Sequence, residues 1–195
     1  MKHRGTAIFV AAFLAALALG WFAFPSLLYE TRTQPIDFSH KIHTGETVGM
    51  TCEDCHSFSS TGSFTGIPRL EKCAGCHTES VGTTDAEKIL VEEYVKPNKE
   101  IPWLVYSRQP QNAYFSHIQH VKVAKLECAS CHGSHGNSDH QKPYQVNRIS
   151  GYSRDIWGKS IGRIVTEPGE GMKMDDCARC HRERGVQESC IMCHK

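Results

Sequence analysis

Ten cysteines in a 195-residue chain restrict its fold more than any other feature, because every one falls in a C-x-x-C-H unit. The units are Cys52-Cys55-His56, Cys73-Cys76-His77, Cys128-Cys131-His132, Cys177-Cys180-His181 and Cys190-Cys193-His194. No cysteine is left over for a structural disulfide or a spare nucleophile.

This pattern is the attachment signature of c-type haem. Two cysteines three positions apart can form thioether bonds to two vinyl groups on one porphyrin edge. The next residue, histidine, is then held beneath the iron as its proximal ligand. Zinc knuckles also use C-x-x-C pairs, but zinc does not require histidine directly after the second cysteine. Histidine supplies only 12 of 195 residues, so five such placements set the zinc reading aside. Five covalent haems are the expectation.

Composition fits that expectation. Leu, Ile, Val and Phe make up under a fifth of residues 30–195, below the roughly 20% under which a chain reads as disordered. Five apolar macrocycles would supply the missing core, so folding should depend on them, as in small metal domains. The expected fold is mostly irregular with short α-helices around a haem-dominated core.

Residues 6–29, Thr6 to Tyr29, carry no formal charge and are long enough to cross a bilayer, which takes about 20 apolar residues. Lys2 and Arg4 precede them, which by the positive-inside rule leaves residues 1–5 in the cytoplasm and 30–195 outside. Trp21 and Tyr29 suit the outer headgroup region. A cleaved signal peptide is the alternative, with Ala16-Leu17-Ala18 as its site. The apolar run Gly20-Trp21-Phe22-Ala23-Phe24 continues past it and favours an uncleaved anchor. The reading is a single inner-membrane pass carrying a periplasmic domain of two related halves, about 30–112 and 113–195. Both alternatives place the cysteines where covalent haem attachment is expected and cytosolic thiol chemistry is not.

With Lys2 and Arg4 set aside, 20 basic residues face 21 acidic ones. Nothing in that balance points to nucleic acid.

Seven histidines remain after the five proximal ones: His3, on the cytoplasmic side, and His40, His43, His117, His120, His135 and His140. Four of these form matched pairs. Phe38-Ser39-His40-Lys41-Ile42-His43 precedes Cys52, and Phe115-Ser116-His117-Ile118-Gln119-His120 precedes Cys128. This is an internal repeat of the ligand pattern. His135 and His140 lie in a loop-like stretch, Gly133 to His140. At least one is needed if all five haems have two histidine ligands. The surplus one is a surface residue or helps hold a sixth, noncovalent haem. Met50, Met172, Met174 and Met192 are substitute ligands, and a Met/His pair would raise one potential.

Elsewhere, Thr84-Asp85-Ala86-Glu87 reads as a helix start, with Lys88 to Lys96 continuing it until Pro97. Ile101 to Tyr106 reads as a packed strand or extended linker. Residues 133–176, with seven glycines, form a long connection suited to a partner or cofactor. Arg148, Arg154, Lys159 and Arg163 are candidate partners for propionates.

Phe-Ser-His-x-x-His followed by C-x-x-C-H resembles the class III multihaem cytochromes c. The resemblance implies that the first histidine serves the next haem in sequence: His40 for Cys52/Cys55 and His117 for Cys128/Cys131. His43 and His120 would then reach haems elsewhere, and the haems at Cys73, Cys177 and Cys190 would take long-range ligands. Anchor, histidine pairs and five motifs together resemble the multihaem cytochrome subunits of menaquinone reductase complexes and of alternative complex III. That resemblance implies iron–sulfur, molybdopterin-like and integral membrane partner subunits, and electrons passing from a soluble periplasmic cytochrome c toward menaquinone. A stand-alone anchored quinol dehydrogenase is the competing class, as is a subunit of alternative complex III oxidising menaquinol. A nitrite or hydroxylamine reductase fits less well: it needs an open axial position, and the chain offers six candidate distal histidines.

Overall fold

The computed structural model describes residues 2–105, 109, 111–151, 174–187 and 189–194. Arg154, Lys159, Arg163, Met172 and Tyr106 lie outside them.

The chain opens with one continuous helical rod. It runs as α1 (Lys2–Ala18), widens to a π-helical turn at Leu19–Ala23, and closes as α2 (Phe24–Leu27). The widening sits just before Pro25, which has no N–H to donate into an α-helical ladder; wider turns commonly absorb such interruptions. Arg4–Ala23 has a mean hydropathy of 2.2 and none of it is buried against the rest of the chain. By length and composition it can cross a bilayer. Tyr29 already belongs to the next element, so helix accounts for the expected anchor only as far as Leu27.

That next element is β1 (Tyr29–Arg32), which pairs antiparallel with β2 (Tyr144–Asn147) in the register Tyr29↔Asn147 to Arg32↔Tyr144. Arg148 N–H donates to Leu28 O at 2.8 Å and extends the ladder to the foot of the rod. The segment after the third cysteine motif is thereby fixed beside the foot of the helical rod.

Between the strands the elements are short. They are α3 (His40–Thr44), α4 (Cys52–Cys55), α5 (Leu70–Ala74), α6 (Asp85–Ile89) with a π turn at Leu90–Val95, a second π turn at Ile118–Val123, and α7 (Ala129–His132) with a 3₁₀ turn at Gly133–Asn137. After β2 come α8 (Met174–Glu183) and α9 (Cys190–Cys193). The helix read from Thr84 onward is present: the Thr84 hydroxyl accepts from Glu87 N–H at 3.2 Å, and the run ends at Pro97. Ile101 to Val105 is extended without a ladder, clipped by Gln34, whose amide exchanges two hydrogen bonds with Leu104.

Among the described residues only Ile36, Leu70, Val91, Tyr94 and Ile101 are buried apolar side chains. All five fall within residues 30–112, and Ile36, Leu70, Tyr94 and Ile101 form one cluster packed with Cys73, Ala86, Leu90, Val95 and Trp103. Burying one such aliphatic side chain is worth about 2 kcal/mol, so this cluster is a small nucleus beside the second cysteine motif. The described part of the second half buries no apolar side chain, as the composition led one to expect.

Polar contacts tie residues 37–53 to residues 122–141. The 133–141 loop lies on α3: Lys41 N–H donates to Ser138 O at 3.1 Å, and Thr44 Oγ1 to Gly136 O at 2.8 Å. Lys41 pairs with Asp139 at 3.1 Å and His140 with Asp37 at 2.7 Å. Lys122 reaches Glu53 of α4 with contacts of 2.7 and 2.6 Å to its two oxygens.

Candidate haem-binding sites

The repeated Phe-Ser-His-x-x-His segment places its rings the same way twice, on an α-helical turn in the first copy and a π turn in the second. In the first copy Ser39 caps α3, accepting from Ile42 N–H at 3.3 Å, and His43 Nδ1 donates to Ser39 O at 2.8 Å. Phe38 sits edge-on to His40 (4.9 Å, 89°) and stacks on His43 (4.4 Å, 25°). In the second copy His120 Nδ1 donates to Ser116 O at 2.8 Å. Phe115 is edge-on to His117 (4.8 Å, 90°) and stacked on His120 (4.6 Å, 25°). The phenylalanine holds its two imidazoles in different orientations, so one turn of chain offers ligands to two separate positions. Donating Nδ1–H to a carbonyl fixes the tautomer and leaves Nε2 with a lone pair for a metal.

Three of these rings face a proximal histidine at one recurring spacing. His43 and His77 have centroids 6.2 Å apart, His117 and His132 6.5 Å, and His120 and His181 6.1 Å. An imidazole nitrogen binds a first-row metal at about 2 Å, and the ring centre lies roughly 1 Å further out. Two opposed ligands on one iron therefore put their centres about 6 Å apart. The residues present fit the group. Beside His117 there is also an open cleft of about 550 Å³ between the 61–64 turn and residues 115–118.

His56 meets a different arrangement. Its Nδ1 donates to Gly66 O at 2.7 Å, and its charge opposes protonation of both His40 and His135. His40 and His135 are themselves 4.5 Å apart and tilted at 57°. That is too close for opposed ligands on one iron. Burial pushes each down to about 4, His40 helped by His135 and His135 by Lys142. Both are neutral donors at physiological pH. His140 is exposed and engaged with Asp37, and faces none of the proximal rings. His194 faces no other histidine ring among the described residues; its motif is held by Tyr114 N–H, which donates to Cys193 O at 2.7 Å, and by a bridge from Ala113. Met174 and Met192 are exposed.

The cysteines of different motifs are neighbours, in an order unlike that of the sequence. Burial and then the adjacent Cys55 raise the Cys73 thiol, and burial, Asp54 and Cys76 raise Cys55. Cys128 is raised by burial and by Cys52, to which it is hydrogen-bonded. Cys131 is raised by burial and Cys180, and Cys177 by burial, Cys131, Asp176 and Cys193. These electrostatic adjacencies link the five pairs in the order 73/76, 52/55, 128/131, 177/180, 190/193.

Two contributors escape sequence reasoning. Phe64, at the closing end of a small hairpin bridged by Phe58, stacks on His117 at 4.1 Å and lies 6.4 Å from His56. Gly62, at φ +84°, lets that hairpin close against Ile118, whose Cδ1 would lie 2.6 Å from an added Cβ. Glu87 holds His77: its Oε1 accepts from His77 Nδ1 at 2.9 Å and from Val81 N–H at 2.8 Å, and its Oε2 from Gly82 N–H at 2.7 Å. Burial works against its charge, but the Val81 and Gly82 N–H groups and His77 outweigh that and hold it below the ordinary carboxylate value. In the sequence Thr84-Asp85-Ala86-Glu87 reads as a helix start, and the one further signal is a carboxylate ten residues after a proximal histidine.

Residues 25–101, which contain the first histidine pair and the first two cysteine motifs, match the class III cytochrome c family. Over 206 aligned residues the chain is 38% identical to the menaquinone reductase multihaem cytochrome c subunit of Nitratidesulfovibrio vulgaris (strain Hildenborough), covering 98% of this chain and 90% of that one.

Proposed function

We propose, from the premise that this chain belongs to the family of menaquinone reductase multihaem cytochrome c subunits, that it is the electron-transfer subunit of a membrane complex linking a periplasmic cytochrome c to menaquinone. The chain is a c-type electron-transfer protein and not itself a catalyst.

The observation that carries the reading is the recurring 6.1–6.5 Å spacing of facing imidazoles, found at three separate cysteine motifs. Haem bound at these motifs supplies reversible one-electron chemistry at iron. The ten cysteines fix the porphyrin edges, and His56, His77, His132, His181 and His194 take the proximal side. His43, His117 and His120 take the distal side opposite His77, His132 and His181. His40, with His135 packed against it, serves the His56 site. Each ring whose Nδ1 is held by the backbone keeps its orientation whichever charge the iron carries. Two histidines at one iron would leave no place there for substrate, which at these sites favours electron transfer over reduction of a small molecule.

The row of adjoining cysteine pairs sets which sites can exchange electrons directly. The Cys73/Cys76 and Cys190/Cys193 sites form its two ends. The apolar rod ties the row to the inner membrane, with the cysteine motifs on the periplasmic side. The β1–β2 ladder keeps the 144–148 segment at the foot of that rod. Iron–sulfur, molybdopterin-like and integral membrane subunits complete the assembly.

Purifying the native membrane complex and measuring haem per chain by pyridine haemochrome and intact mass tests this reading. Five covalent haems in a chain that co-purifies with other subunits is the expected result. Fewer covalent haems, or a chain that oxidises quinol alone, would overturn it.

A further inference from the structure

His77 leans on a different kind of group from His43, His56 and His120. His43, His56 and His120 donate Nδ1–H to the carbonyl oxygens of Ser39, Gly66 and Ser116. His77 donates to a carboxylate, Glu87 Oε1, at 2.9 Å. Both groups are largely enclosed, with the His77 side chain 19% exposed and that of Glu87 9%.

The carboxylate has no freedom to swing away. Val81 N–H and Gly82 N–H clamp its two oxygens, and the Thr84 hydroxyl fixes its backbone at the start of α6. Glycine at 82 permits this approach, because an added Cβ would lie 2.6 Å from Glu87 Oε2. Nothing else about the helix start requires a carboxylate turned back toward His77.

A carboxylate attracts the Nδ1 proton more strongly than a carbonyl does and makes Nε2 a better electron donor to its metal. Its negative charge, held beside the ring, also favours the more positive iron. Both effects stabilise the oxidised state. We propose that Glu87 is a positioning residue that acts through His77 to lower the reduction potential of the haem held at Cys73 and Cys76.

The inference rests on haem being bound there, so haem content and potential are measured separately on the same samples. Redox titration of the intact complex, followed by visible absorbance and by paramagnetic resonance, is compared between wild type and Glu87→Gln. The expected result is unchanged haem content and one component shifted upward. Its reduced-to-oxidised ratio at fixed applied potential should rise about tenfold, equivalent to about 59 mV for a one-electron couple. The low-spin signal of that component should shift with it. Full haem content with no component moved overturns the inference, as does a common shift of all components. If Glu87→Gln does not assemble, Gly82→Ala displaces the carboxylate by its methyl group and should move the same component. An unmoved set in that variant overturns the inference equally. A wild-type chain without covalent haem at Cys73 and Cys76 would instead overturn the haem reading itself.

Discussion

Replacing His43 by alanine should open one coordination position, at the site of Cys73, Cys76 and His77, and leave the other sites intact. The ring of His43 faces His77 at 6.2 Å, and no other histidine is seen at that distance from His77 among the described residues. The neighbouring His40 is directed elsewhere by Phe38, edge-on to one ring and stacked on the other. Loss of the stack and of the bond to Ser39 O should lower stability by about 1–2 kcal/mol, too little to unfold a cofactor-bound domain. About one fifth of the iron should therefore become high-spin, by the five attachment motifs. Reduced under carbon monoxide, the variant should bind one equivalent per chain and wild type none at this site. His120→Ala should do the same at His181, whose ring is 6.1 Å away, and the double variant should bind two. Wild-type spectra in both single variants, or a new high-spin signal at Cys52/Cys55, would refute the assignment of second histidines to the second and fourth motifs.

His140→Ala should leave every low-spin signal in place, because that ring is exposed and held by Asp37; loss of a low-spin haem in its spectrum would contradict the geometry. The same pair makes the fit of the 133–141 loop on α3 depend on pH. Asp37 holds His140 above 6.5, so that contribution is complete below 6.5 and fades as pH rises through the raised value. His140 holds Asp37 below 3.8, so the acidic limit comes only as pH falls through that lowered value. Amide exchange at Gln141, which donates to Asp37 Oδ1, should show weakening protection on the alkaline side in wild type and not in His140→Gln. Leu70→Ala, which empties a position 4% exposed beside Cys73, should cost about 3 kcal/mol, read as a lowered Tm of the haem-loaded protein with its haem count retained.

What could be read from the residues divides along the range of the interactions involved. The attachment motifs and the paired histidines are local patterns, and their geometry follows from one turn of chain, as the near-identical ring angles at Phe38 and Phe115 show. The small core was legible too, because a chain so poor in large aliphatic residues has little to bury. The meeting of His135 with His40 was not legible. It depends on a loop docking across 98 residues through Ser138 and Asp139, contacts that no periodicity encodes. Nor was the order of the cysteine pairs, in which the first motif lies between the second and third. Glu87 was visible only as a helix-start residue, and its turn toward His77 depends on the backbone of Val81 and Gly82.

In the function proposed above, this chain carries electrons between a cytochrome c and menaquinone. Anaerobic rapid-mixing spectroscopy of the isolated native complex tests it most directly, with reduced periplasmic cytochrome c added first and a menaquinone analogue second. The account predicts that the haem absorbance of this chain becomes reduced on the first addition and is reoxidised on the second, with quinol formed in proportion. Haems that stay oxidised with the cytochrome, or stay reduced when the quinone is added, would contradict it.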